Sequence, residues 1–162
     1  MNQTVEPVTA AMLIIGNEVL SGRTQDKNLA FVAGALGEIG VDMREVRIVQ
    51  DEMDEVVAAV NALRAKYTYV FTTGGIGPTH DDITADCIAA AFGVKLEMHP
   101  IAVQLLEAHY EAQDIEFNAA RARMPRIPEG ASLIDNPVST APGFRIENVH
   151  VMAGVPKIMQ AM

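Results

Sequence analysis

Between Thr72 and Thr84 the chain sets Gly74, Gly75 and Gly77 beside Thr73, Pro78, Thr79 and His80, and follows them with adjacent carboxylates at Asp81 and Asp82. Glycines take backbone conformations barred to other residues and bring their N–H groups close to an anion. A helix starting near Ile83 would aim its positive end at the same place. Two carboxylates there would repel a bare phosphate, and a hard, oxygen-liking cation such as magnesium resolves the conflict. The pattern therefore predicts a pocket for a small phosphorylated ligand. In it Thr73, Gly74, Gly75, Gly77, Pro78, Thr79 and His80 lie around the ligand, and Asp81 and Asp82 face a divalent metal. A tight strand-to-helix turn with an Asp cap is the plainer reading, and it does not call for three glycines beside an acidic pair. Two better-known loops are excluded. A P-loop needs Gly-Lys-Ser/Thr, whereas Pro78 and Thr79 follow Gly77, and His80 stands where a dinucleotide fingerprint needs its third glycine.

Other residues invite chemistry less directly. Asp51 precedes the acidic Glu52, Asp54 and Glu55, which reads as a helix N-cap worth ~1 kcal/mol or as a metal ligand or proton acceptor at a strand end. Asp82 and Asp86 share a helix face if Asp82 lies within the first turn. His80 is either a phosphate donor or a solvated loop residue. His99, His109 and His150 lack metal-ligand spacing, so a zinc site is not expected. Arg121, Arg123 and Arg126 read as a solvated helix face or as a phosphate clamp.

These residues need a scaffold, and 162 residues with 49% hydrophobic content can supply one domain with a real core. A net charge of -9 argues against nucleic acid or an anionic membrane as partner. Cys87 is the single cysteine and reads as a small buried hydrophobe in a reduced compartment. With no basic start, signal-length apolar core or membrane-length run, a soluble cytoplasmic protein is expected.

Residues 1–10 are expected to be a flexible N-terminal segment and 11–162 the domain. Ala11 to Ile15 reads as a buried strand feeding a loop from Gly16 to Gly22. A helix from Lys27 to Ile39 carries Leu29, Val32, Ala33 and Leu36 on one face, and Val41 to Val49 alternates like a half-solvated strand. Asp51 opens a second helix with Val56, Val57, Val60 and Leu63 inward. Tyr67 to Phe71 is a strand delivering the glycine loop, and Ile83 to Phe92 a helix stopped by Gly93. Residues 94–98 form an edge segment, helices run from Pro100 to Ala112 and from Glu116 to Arg123, and Phe144 to Met152 is a strand or hairpin. Lys157 brings a cation to the last segment, which stops mid-pattern, as a short terminal helix or a domain cut from a longer chain would. Alternating strands and helices predict an α/β fold, a largely parallel sheet covered on both faces, with ligands beyond the carboxyl ends of its strands. Asn17, Glu18, Asp51 and Asp82 would then meet at one edge.

The motifs in this order, from Gly16–Lys27 through the Asp51 turn, Thr73–Thr84, Asn136–Phe144 and Gly154–Pro156, resemble the molybdopterin-binding domain family that includes MogA and MoaB. The resemblance is strongest to the amino-terminal domain of CinA-type competence/damage-inducible proteins and to the related domain of eukaryotic FAD synthases. It implies a three-layer αβα sandwich that forms a homo-oligomer, a dimer or trimer. It implies functional aspartates at Asp51 and Asp82, with Gly154 and Pro156 as a second wall and Gly16, Asn17, Glu18, Ser139 and Thr140 contributing to the pocket. Ala153 stands where many relatives carry Pro. The implied ligand is molybdopterin or a related nucleotide, with Mg2+ or another divalent metal. Relatives adenylylate molybdopterin, hydrolyse ADP-ribose or FAD at the pyrophosphate, or bind without turnover. An oligomeric scaffold is a further alternative.

Overall fold

A computed structural model describes residues 6–162 of the protein. β1 (Val8–Ile15) is buried at each position from Ala10 to Ile15, as expected of a strand with both faces covered. β2 (Val41–Val49), β3 (Tyr69–Thr73) and β8 (Val149–Met152) lie parallel to it. β7 (Gly143–Ile146) and β6 (Ser132–Ile134) return antiparallel, giving the order β2-β1-β3-β8-β7-β6. β4 (Leu96–Met98) and β5 (Arg126–Pro128) form a separate antiparallel pair.

Two apolar layers sandwich this sheet. α3 (Met53–Lys66) and α4 (Thr84–Phe92) pack Val56, Val60, Leu63, Cys87 and Ile88 against Ala11, Leu13, Ile15, Val70 and Val151. On the other side α1 (Asn17–Leu20), α2 (Asn28–Glu38) and α6 (Pro156–Ala161) cover Met12, Ile14 and Met152 with Val19, Val32 and Met159. Burial of a side chain the size of Leu63 or Ile88 stabilises by ~1.5–3 kcal/mol. The expected αβα sandwich is thus present. Cys87 is fully buried, and burial chiefly pushes its thiol up to about 12, so it packs as a hydrophobe.

Several boundaries differ from expectation. β1 begins at Val8, so Val8 to Ala10 lie in the sheet, while residues 1–5 of the expected flexible segment fall outside the described residues. The Gly16–Gly22 loop contains the short α1. β3 starts at Tyr69, because Tyr67, extended, closes α3 first, and runs on to Thr73. The helix expected over Glu116–Arg123 is only a 3-10 turn at Arg121–Arg123, where Asn118 Oδ1 accepts the Arg121 N–H. The three-residue β5 and β6 had no periodicity long enough to mark them. α5 (Pro100–Glu111) matches, with Pro100 in its first turn.

Candidate functional site

Because β1, β2, β3 and β8 are parallel, the segments after Ile15, Val49, Thr73 and Met152 leave the same edge. The chain passes from β1 to β2 on one side and on to β3 on the other, so the crevice between β1 and β3 is the topological switch point where such sheets hold ligands.

The β3–α4 loop is built by exclusion. Gly74 has φ 99 and Gly75 φ 70; a Cβ on Gly74 would run into the Ile15 carbonyl oxygen, and one on Gly75 into Thr84 Oγ1. Buried Thr84 donates to the Gly74 carbonyl at 2.9 Å and fixes the loop from behind. Asp82 precedes α4 rather than lying in its first turn, so it does not share a helix face with Asp86. Its Oδ2 accepts from the Thr79 N–H at 2.8 Å and the Thr79 hydroxyl at 2.7 Å. A Cβ on Gly77 would lie 2.7 Å from the same oxygen. Asp81 turns instead to His80, 3.0 Å away on the exposed tip beside Pro78.

Asp51 is not the helix cap. Glu52 takes that position without a side-chain bond, and Asp51 Oδ2 accepts the Asn17 N–H at 2.9 Å while Asn17 Oδ1 accepts the Asp51 N–H at 3.4 Å. This reciprocal clasp ties the β1 and β2 loops together. Burial raises the Asp51 carboxyl above the usual carboxylate range, the Asn17 N–H opposes the rise, and the charges of Glu18, Asp81 and Asp82 add to it. The acidic groups after β1, β2 and β3 therefore share one electrostatic field.

Two recesses flank the loop. Toward α4, Gly75, Gly77 and Asp82 meet Arg123, Arg126, Pro142 and Phe144. The arginines are not a uniformly solvated face. Arg126 is held by Asp86 in a two-pronged pair at 3.0 and 3.2 Å, and Arg121 bonds the Glu116 carbonyl and lies 4.9 Å over the Tyr110 ring. Arg123 Nη2 reaches the Asp82 carbonyl at 3.5 Å, and its Nε is buried without a partner among the described residues. Toward α2, a crevice of about 60 Å³ is lined by Glu18, Thr73, Gly74, Asn28, Gly154 and Pro156, among others. Gly154 packs on Gly74: a Cβ on it would lie 3.1 Å from the Gly74 Cα, a tight contact.

Ser139 and Thr140 line neither recess. Ser139 Oγ accepts from Asn136 Nδ2 at 2.7 Å, Thr140 Oγ1 lies 2.9 Å from His109 Nδ1, and buried Asn136 organises the turn. Among the described residues no group of three or more His, Cys, Asp or Glu side chains clusters as a metal centre would. Asp51 and Asp82 each use Oδ2 within the protein. That leaves Oδ1 on each without a hydrogen bond among the described residues, and magnesium commonly takes one or two such carboxylate oxygens with ligand phosphate and water completing its shell. Thr84 and Asn28 escaped the sequence reading, the one counted only as a loop end and the other one residue past the Gly16–Lys27 motif.

A glycine loop at the switch point of a mostly parallel sheet, with strand-end aspartates beside it, defines an α/β small-ligand-binding domain. Residues 11–162 match the family described as "probable molybdopterin binding domain", and the chain belongs to that family. The protein CinA from Thermoplasma acidophilum superposes with TM-score 0.87 at 32% identity, over 96% of this chain and 93% of that one. A CinA-like protein from Desulfosudis oleivorans is 37% identical over 94% of this chain but 38% of its own length. A Caldivirga maquilingensis protein is 36% identical over 94% of this chain and 61% of its own. This chain therefore spans less than two thirds of these curated relatives. The tungsten cofactor synthesizing protein MoaB from Pyrococcus furiosus shares the fold, with TM-score 0.58 and 18% identity over 98% of this chain and 89% of that one.

Proposed function

We propose that this domain binds a phosphorylated pterin related to molybdopterin, or a nucleotide, with its phosphate at the glycine loop and a divalent cation beside it. Amides of Gly75 to Gly77 approach the anion from the loop. Asp82 and Asp51 hold the cation through their uncommitted oxygens, and Arg123 offsets the remaining negative charge from the α4 side. The cation would neutralise the phosphate; the protein's own part is to bind and orient. The carrying observation is the cradle itself: Gly74 and Gly75 occupy conformations and spaces closed to any side chain, next to Asp51, whose carboxyl is raised chiefly by burial and further by the charges of Glu18, Asp81 and Asp82. A homo-oligomer and a cytoplasmic setting accompany this reading.

Calorimetric titration of molybdopterin and of ADP-ribose into the wild type and Asp82→Asn, with and without magnesium, tests it. At least one ligand should bind in a magnesium-dependent way, and Asp82→Asn should weaken it about tenfold or more with an unchanged melting temperature. Equal affinities in both proteins overturn the assignment. AMP in the ADP-ribose mixtures, read by chromatography, would add turnover to binding.

A further inference from the structure

Asn28 opens α2 and is 3% exposed. Its Nδ2 donates to the Gly154 carbonyl at 2.8 Å across 126 residues of chain, which fixes the amide orientation, since the reverse would set two acceptors face to face. Its Oδ1 has no partner among the described residues. An unpaired buried acceptor costs stability, and a helix of 11 residues has no need of it, because Asp26 Oδ2 already takes the Leu29 N–H at 2.9 Å. Asn28 lines the crevice that also touches Thr73, Gly74 and Gly154. That crevice shares Ile14, Val19, Thr24, Gln25 and Asp26 with a cleft of about 680 Å³. The cleft continues between Leu29 and Ala30 of α2 and Val46 and Ile48 of the edge strand β2. Apolar walls with a few fixed polar groups suit a flat ring better than more phosphate.

We propose that Asn28 Oδ1 is a specificity-determining acceptor that reads an amino group or ring N–H on the heterocyclic half of the ligand. The phosphate then lies at Gly75 to Gly77, and the ring extends past Asn28 toward the α2–β2 cleft. The ligand class is a phosphorylated, amino-bearing nitrogen heterocycle. This rests on the phosphate-site reading above and assigns the part of the ligand which that reading leaves open.

The test is a cycle of two proteins and two nucleotides, AMP and purine riboside 5′-monophosphate, which lacks the exocyclic amine, with inorganic pyrophosphate as control and magnesium throughout. The wild type should prefer AMP by about tenfold or more. Asn28→Ala should erase that preference while binding pyrophosphate within about twofold of the wild type. A merely structural Asn28 would weaken both nucleotides equally, and that result, or a wild type without preference, overturns the proposal. Should Asn28→Ala unfold, Asn28→Ser gives the same readout with a shorter side chain. Failure of pyrophosphate to bind the wild type carries a different signature and brings down the phosphate-site reading itself.

Discussion

The loop from Gly74 to Ile83 and the segment from Gly16 to Lys27 leave neighbouring strands at the same sheet edge, yet they are held by opposite means. The first is shaped by exclusion: Gly74 abuts the Ile15 carbonyl, Gly75 the Thr84 hydroxyl and Gly77 the Asp82 carboxylate. Its tying bonds are short in sequence, Thr79 to Asp82 and Thr84 to Gly74. The second is held from a distance. Asp51 clasps Asn17 from 34 residues away, and Asn28 reaches Gly154 just past its end. A loop made of its own residue types can present rigid amides to an anion, whereas one tied to distant partners takes its shape from the assembled sheet.

The contrast breaks most visibly at Gly74. A φ of 99 disfavours any side chain, and the obstruction is backbone, which cannot swing aside. Gly74→Ala should cost about 2 kcal/mol or more, a fall in melting temperature of roughly 4–8 °C, together with loss of pyrophosphate binding. A melting temperature within a degree of wild type would show that the loop is not sterically fixed.

The same contrast accounts for what the sequence disclosed. Glycines, threonines and an acidic pair within a dozen residues announce a loop because much of what shapes it is local, Gly75 against Thr84 and Gly77 against Asp82, with the Gly74 contact to Ile15 the long-range exception. The alternation in β2 and the helical stripe in α3 were legible for the same reason. Asp51 was read as a cap from its acidic neighbours, and only the pairing of β1 with β2 sets it against Asn17. Arg123 and Arg126 looked like one surface cluster; separating them takes the packing of β5 beside α4, which delivers Asp86 to Arg126 and leaves Arg123 at the loop. Asn28 carries no sequence signal beyond its place at a helix start, since its partner lies at the other end of the chain.

A smaller effect sharpens the comparison at Asp51. Its carboxyl is raised in the folded protein, so the native state holds this proton more tightly than the unfolded chain, whose Asp titrates near pH ~3.9. Stability from this group therefore falls as pH rises from the unfolded value to the raised folded one, and the penalty is constant above that window. Asp51→Asn keeps an acceptor for the Asn17 N–H and removes the penalty. It should raise stability at pH 7 only slightly, by at most on the order of 0.5 kcal/mol because solvent screens this partly exposed carboxylate, with the gain fading as pH drops through the window, while magnesium-dependent ligand binding declines. Thermal melts at pH 7 and pH 3.5 provide the check. A loss of stability at neutral pH would mean that the charged clasp, rather than its geometry, holds the two loops together.

The smallest effect is expected at Gly16, the glycine of the other segment. Its φ of 166 is extended backbone open to any residue, and its N–H to the Val49 carbonyl at 3.1 Å survives substitution. The nearest atoms a Cβ there would meet are those of the Glu18 carboxylate, from 2.7 Å, the free end of an exposed side chain that can rotate away. Gly16→Ala should therefore change stability by less than about 0.5 kcal/mol and leave pyrophosphate affinity within about twofold. Displacing Glu18 opens the crevice it lines, so nucleotide affinity should move more than pyrophosphate affinity does. A destabilisation as large as that of Gly74→Ala would place both loops under the same steric rule, and the division between local exclusion and long-range tethering would fail.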